Sequence, residues 1–317
     1  MTEREYLQSQ EKGVGIIYNS ENGVDWAIHS FKEEFEKRGI PVALFDANSI
    51  ESVGSLDSLH DFSIPEIEEL TDKGYSVWMN RVYPSESSKA AIDKSLTLVG
   101  WLGSRNYLTI NPMTACACDY DKNFAFELMN KYEVPTPKTR LLTDGDSLEK
   151  IVEDFEFPLI VKKNTGGKGI GVKKINNEEE LKEVLASEGN FSGKYLVQEF
   201  AMPVVDYDVR IGVIDGEPLI AYARTLVDKG NQGISWMGSC NHGSKIIDYE
   251  PTDEEKRLAV LSTKAIGAKL NEVDIQITKN GPVIIENNPT PGYDEGEERW
   301  VELITEHIYK NHLKNEE

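Results

Sequence analysis

The sequence predicts a mixed α/β (α+β) protein of more than one domain, and three observations lead there. Short apolar runs of strand character alternate with longer segments whose apolar residues recur at helical spacing. Glycine and proline mark several junctions, among them Gly39, Pro112 and the connection VPTPKTRLL at 134–142. The 317 residues exceed an ordinary domain of roughly 150, and the element order changes along the chain. Strands and helices alternate at first; strand pairs with packed helices follow.

GVGIIYNS at 13–20 reads as a buried strand, with its early glycines as a chain entry. Residues 24–39 carry apolar residues at helical spacing up to a glycine stop, and 40–47 give a second strand, which makes a βαβ opening. Strands at 73–82 and 107–111 with a helix at 93–106 complete a small open α/β sheet over residues 1–113. The pattern from Thr114 to Tyr132 is helical, and the proline-marked connection after it is a boundary. Next come a strand at 158–163, the glycine-rich TGGKGIGV at 165–172, a helix at 177–189 and a strand at 194–200. Strands at 209–214 and 218–226, a helix at 252–270, the strand pair 273–278 and 282–287, and a last helix at 297–313 form a mixed sheet with packed helices.

Composition excludes several classes. With 34 Lys+Arg against 55 Asp+Glu, the net charge of −21 disfavours nucleic acid and anionic membrane as partners. No apolar stretch approaches the roughly 18 residues of a membrane span. The N-terminal MTEREYLQSQEKG lacks the basic and apolar regions of a secretory signal, so a cytoplasmic location is expected. Three cysteines make no disulfide framework, and Cys116-x-Cys118 lacks a second pair at zinc-like spacing.

Three constellations carry chemistry. Gly166, Gly167, Gly169 and Gly171 surround Lys168 and follow a strand bearing Lys162. Such a loop lets backbone N–H groups approach phosphate oxygens, although a plain hairpin explains it equally well. It matches neither the Walker pattern nor a dinucleotide fingerprint, since it runs into another strand rather than opening a helix. In DIQITKNGPVIIENNPTPG, Asp274 and Glu286 lie on strands joined at Lys279-Asn280-Gly281, and Asn288 shares a face with Glu286. A three-residue loop with Gly281 as a left-handed bulge would set Asp274 opposite Glu286, giving an oxygen-donor set that suits Mg²⁺. The third set is Asp208, Arg210 and Arg224, which read either as surface pairs or as a clamp for a transferring phosphoryl group and a carboxylate. Arg81 follows a strand of the first domain, where α/β sheets place ligands, and is a candidate substrate residue.

In order and spacing, these segments resemble ATP-grasp ligases, most closely the RimK-like branch that forms amide bonds with amino acids. The resemblance runs from NPMTACACDYDKNFAFELMNKYEVPTPKT to VDIQITKNGPVIIENNPTPG, about the last two-thirds of the chain. It implies an ATP-grasp fold with a pre-grasp domain at 1–113, a central subdomain with the lid at 114–200 and a C-terminal subdomain with the metal site at 201–317. Lys122 and Lys162 are then nucleotide-phosphate lysines, residues 166–171 a lid, and Gln198, Glu199 and Phe200 the hinge that receives adenine. Asp274, Glu286 and Asn288 are the implied magnesium ligands, with Mn²⁺ as an alternative ion, and Arg210 and Arg224 the catalytic arginines. Asp206 is the remaining candidate for ribose, because Ala201-Met202-Pro203 occupies the place of an acidic residue. Relatives carry Asn-x-x-Arg-Gly-Gly where this chain reads SCNHGSK, which leaves Asn241 and His242 as substrate candidates.

The implied reaction is ATP-dependent activation of a carboxylate as an acyl phosphate, followed by amide formation with an amine and release of ADP and phosphate. Its partners are small amino-acid or carboxylate substrates, a peptide or carrier protein being a further option, with a homo-oligomer left open. Two other readings stand: a ligase of another ATP-grasp branch acting on a non-glutamate metabolite, and a nucleotide-binding regulator without turnover.

Overall fold

A computed structural model describes residues 12–50, 63–167, 169–187, 191–227, 236–238 and 243–314. Two compact units emerge: residues 1–116, 268–270 and 289–317 form the first, and 117–267 with 271–288 the second.

In the first unit, β1 (Gly13–Tyr18), α1 (Trp26–Lys37) and β2 (Val42–Asp46) give the expected βαβ opening. Helix α2 (Pro65–Asp72), β3 (Tyr75–Asn80), α3 (Lys89–Ser104) and β4 (Leu108–Ile110) follow. The sheet is parallel, in the order β2-β1-β3-β4. Gly13 and Gly15 lie within β1 rather than before it, and Gly15 has a packing role. A Cβ there would come 2.2 Å from the Trp78 ring on β3, so only glycine lets that buried indole lie across the strand.

The terminal helix, α9 in chain order (Glu298–Ile308), packs against α1 and buries Val301, Ile304 and Ile308. Arg38 beyond α1 bonds Glu306 at 2.9 Å. Residues 289–317 thus group with the first unit, whereas sequence order places them with 201–288. The reason is an apolar stripe that α1 and α9 cover mutually.

The second unit begins with α4 (Met113–Tyr120), whose last residues belong to it, and α5 (Lys122–Lys131). The single helix expected over 114–132 is broken between them. Asp121 takes an extended conformation and caps α5 by accepting from Phe124 N. A four-stranded sheet in the order β5-β8-β6-β7 comprises β5 (Thr139–Leu141), β6 (Leu159–Lys163), β7 (Lys173–Ile175) and β8 (Tyr195–Glu199). Helices α6 (Leu148–Asp154) and α7 (Glu178–Ser187) belong to this segment. One face of the sheet, with Leu159, Val161, Ile175 and Val197, forms the hydrophobic core shared with Ile151, Phe155 and Leu181. By the two-residue alternation of strands, Ile160, Lys162, Lys174 and Gln198 project from the other face.

A five-stranded sheet in the order β11-β10-β9-β12-β13 follows, with β9 (Tyr207–Ile214), β10 (Glu217–Thr225), β11 (Ile246–Asp248), β12 (Leu270–Thr278) and β13 (Gly281–Asn288). Helix α8 (Asp253–Ala265) opens with a capping box from Thr252 and Glu255. It stops short of the expected 270 because Leu270 already starts β12.

Candidate active site

The five-stranded sheet brings five charged positions together on adjacent strands. Asp208 on β9 faces Arg224 on β10 in register, and Arg224 donates to it through Nε at 2.9 Å and Nη2 at 2.8 Å. Arg224 Nη2 also lies 3.0 Å from Asp274. Arg210 donates two bonds to Asp274, at 2.6 and 2.9 Å, and one to Glu272 at 3.1 Å. Arg224 is only 5 % exposed, so the surface-pair reading of these charges does not hold. Burial alone would raise the Asp274 carboxyl, but the Arg210 and Arg224 guanidiniums outweigh it and bring its pKa down to about 2.

Asp274 is the register partner of Glu286. The pairing arises differently from the expectation. Thr278 pairs with Gly281 around a two-residue loop, Lys279-Asn280, with Gly281 at φ +107°. An offset at Ile285, between the pairs Ile275↔Ile284 and Asp274↔Glu286, then restores the opposition of the two carboxylates. Asn288 follows two residues on, its Nδ2 donating to Glu272 O at 3.1 Å. On the reverse of β13, Asn287 Oδ1 accepts from Ser262 and Asn271, both at 2.7 Å, which ties the strand to α8 and β12.

Lys122, the first residue of α5, reaches Glu286 Oε1 at 3.0 Å and donates to Gly166 O. Asn164 fixes the start of that helix: its carbonyl accepts Lys122 N at 3.1 Å and its side chain accepts Asn123 N at 2.8 Å. Lys162 is 6 % exposed, with its ammonium 4.9 Å from the Phe126 ring centroid. Burial brings its pKa down to about 8 against the opposing pull of Glu286 and Asp274, with Lys122 adding repulsion. A small recess beside these groups is lined by Cys118, Lys122, Phe126, Met129 and Glu286. Lys122, Lys162, Arg210 and Arg224 thus oppose Asp208, Glu272, Asp274 and Glu286, four cations against four carboxylates.

The glycine-rich segment joins β6 to β7. Gly166, Gly169 and Gly171 have φ of +97°, +68° and +77°, a region that side chains with a Cβ rarely enter, while the Gly167 carbonyl accepts Ile170 N at 3.2 Å. At the end of β8, Gln198 is buried and donates to Thr139 at 2.7 Å, and Glu199 accepts Lys138 N at 3.0 Å. Phe200 meets Trp236 edge to face, with centroids 6.0 Å apart.

Asp206 is exposed in the bend before β9, and its side chain makes none of the ion pairs above. Arg81 lies in the first unit, enclosed by Phe31, Tyr83 and Tyr293, and donates to Pro291 O at 2.7 Å. Lys168, Asn241 and His242 lie outside the described residues. Sequence reading left Glu272 and Asn164 out of the site. Glu272 was accessible from the strand period, two residues before Asp274, whereas Asn164 carries no local signal.

Comparison with known proteins follows the same order of segments. A RimK-like ATP-grasp domain matches residues 119–307, more than half of the chain. The chain belongs to the RimK-like ATP-grasp family. It is an ATP-dependent ligase that joins a carboxylate to an amine as an amide. The coenzyme γ-F420-2:α-L-glutamate ligase of Methanocaldococcus jannaschii is 28% identical over 294 residues, covering 88% of this chain and 91% of the relative. The D-alanine–D-alanine ligase of Bacillus anthracis superposes with a TM-score of 0.66 at 16% identity, over 94% of this chain and 96% of that one. ATP-grasp ligase PsnB, in complex with a phosphomimetic variant of its minimal precursor, Mg and ADP, also gives 0.66 at 16% identity, over 95% and 99%. These two share the ATP-grasp fold with this chain. Among the described residues no helix is long and apolar enough to cross a membrane.

Proposed function

We propose that this RimK-like ligase transfers the γ-phosphoryl group of ATP to a substrate carboxylate. The amine of a second substrate then attacks the acyl carbon, the C–O bond to phosphate breaks, and amide, ADP and inorganic phosphate leave. The observation that carries this reading is the balanced cluster of four cations and four carboxylates across β9, β10, β12, β13, α5 and β6. Lys122 and Lys162 bind the nucleotide phosphates, and the glycine-rich segment covers them with backbone N–H groups. Arg210 and Arg224 carry forks suited to an acyl phosphate and a carboxylate, and they are already oriented by Asp208 and Asp274. Closure of the segment at 166–171 keeps water from the acyl phosphate.

The donor set fits a hard cation. Asp274 is held ionised, Glu286 stands opposite it and Asn288 adds an amide oxygen, all oxygen donors of the kind Mg²⁺ takes. When bound, Mg²⁺ would neutralise negative charge on the phosphate oxygens. Gln198, Glu199 and Phe200 supply the adenine end, with Asp206 as the candidate for ribose. Arg81, Asn241 and His242 are assigned to substrate recognition, and residues 1–113, 114–200 and 201–288 to pre-grasp, lid and metal-bearing roles.

The substrate class follows the relatives whose names include glutamate: an amino acid on one side and a small acid or peptide carboxylate on the other. The cytoplasmic location expected above belongs to the same proposal. The test is an ADP-release screen of amino acids and acid acceptors in pairs, with mass analysis of the product. A pair that yields ADP and a condensed amide supports the reading; ADP release without amide speaks against it.

A further inference from the structure

The reverse side of β13 holds a buried polar cluster that the ion pairs do not involve. Asn287 Oδ1 accepts from Ser262 Oγ on α8 and from Asn271 Nδ2 on β12, both at 2.7 Å, and Asn271 Nδ2 also donates to Thr263 Oγ1 at 3.0 Å. Asn287 Nδ2 donates to Met129 Sδ on α5 at 3.1 Å. Ser262 and Asn271 are fully buried, and Asn287 is 8 % exposed. One side chain therefore joins β13 to α8, to β12 and to α5, the helix that Lys122 begins. Its neighbours along β13, Glu286 and Asn288, are two of the three residues assigned to the metal.

The register of β13 gives this amide a task. From Thr278↔Gly281 to Ile275↔Ile284 the ladder is regular; continued without the offset at Ile285, it would pair Asp274 with Ile285, Val273 with Glu286 and Glu272 with Asn287. Cross-strand partners share a face, so Glu286 would turn to the side of Val273 and away from Asp274. The offset pairs Asp274 with Glu286 and Val273 with Asn287 instead. In the regular register the Asn287 amide would leave α8 and join the carboxylates, and Ser262 and Asn271 would each lose a buried acceptor, which is costly. A satisfied buried polar network specifies one arrangement where apolar packing tolerates several. Resting on the metal reading above, we propose that Asn287 is a positioning residue for the metal-binding carboxylates. Its amide locks the offset register, which sets Glu286 opposite Asp274 and 3.0 Å from Lys122.

Metal affinity separates positioning from packing. Mn²⁺ is titrated into the ADP complexes of the wild-type chain, Asn287→Leu, Ser262→Ala and Glu286→Gln, with the free ion read by electron paramagnetic resonance. ADP alone is titrated by calorimetry in the presence of a chelator. Asn287→Leu should weaken Mn²⁺ binding by about tenfold or more, while ADP without metal binds within about twofold of wild type. Ser262→Ala removes one bond to the amide and should weaken the ion to a smaller degree. The two substitutions combined should be no worse than Asn287→Leu alone, since both act through one network. A side chain that only packs would lower the melting temperature of Asn287→Leu and leave the Mn²⁺ affinity of the folded chain at the wild-type value. That result, with Ser262→Ala also at wild-type affinity, overturns the proposal, and Ser262→Ala decides alone should Asn287→Leu fail to fold. If wild type binds no Mn²⁺ with ADP, or Glu286→Gln binds it as tightly as wild type, the metal reading fails and takes the proposal with it. If Glu286→Gln alone weakens the ion, the metal reading stands and the proposal fails.

Discussion

Lys162 shows how burial sets the charge of a side chain. Its pKa of about 8 lies below the ordinary lysine value of 10.5, because desolvation of the ammonium outweighs Glu286 and Asp274. The native state therefore gives up its proton before the unfolded chain does. Between about pH 8 and 10.5 stability rises with pH from this residue, and below pH 8 it is level. A triphosphate beside Lys162 favours the charged form, so nucleotide binding near pH 8 should take up protons. Calorimetry in buffers of different ionisation enthalpy reads this directly; enthalpies independent of buffer would contradict it. Arg224 poses a different problem, since Arg224→Ala leaves Asp208 and Asp274 short of a buried partner, at a cost of about 3–5 kcal/mol. Arg224→Lys keeps the charge without the fork. It should fold and lower kcat by tenfold or more, with KM for ATP within about twofold. A change confined to KM would remove Arg224 from the transfer step. The charge of these residues was legible in the chain, because lysine, arginine and carboxylate at strand positions are informative by type. Their pairing was not: that Arg224 meets Asp208 while Arg210 takes Asp274 depends on strand order, which one-dimensional spacing does not carry.

Elements were legible where periodicity was strong and misread where a single residue decided the geometry. The strand pair 273–278 and 282–287 followed from alternation, but the opposition of its carboxylates was expected from a three-residue loop that the structure does not have. The offset that aligns them sits at Ile285, and an isoleucine gives no sign of a bulge in sequence. Asp121 likewise breaks a helical pattern by capping, a choice settled by its bond to Phe124 N. Helices at 65–72 and 148–154 and strands at 139–141 and 246–248 are too short to establish a period. Of the glycines in the segment expected to be a lid, three occupy positive φ. Because their N–H groups suit an anion, a non-hydrolysable ATP analogue should slow amide exchange at 164–167 and 169–171. Equal exchange with and without the analogue would remove this segment from the phosphate site.

At the scale of the molecule, the chain carries a net charge of −21, yet its site is balanced. The fold concentrates four of its 34 Lys+Arg residues on one cluster, where they offset the surrounding carboxylates. What the sequence hid was the return of the chain: residues 289–317 leave β13 and complete the first unit through α9. A helix of this amphipathicity declares that it covers something, not which surface. Ile304, fully buried on α9, makes the point testable. Ile304→Ala should destabilise the fold by about 2–5 kcal/mol, read from the denaturant midpoint at constant slope. No change would place α9 outside the core.

The central claim, that ATP activates the carboxylate by phosphorylating it, is tested most directly with an oxygen label. With both carboxylate oxygens of the acid substrate replaced by ¹⁸O, turnover should place one ¹⁸O in inorganic phosphate and leave the other in the amide, alongside ADP. Label found in AMP, with pyrophosphate as co-product, or phosphate without label, would contradict the account.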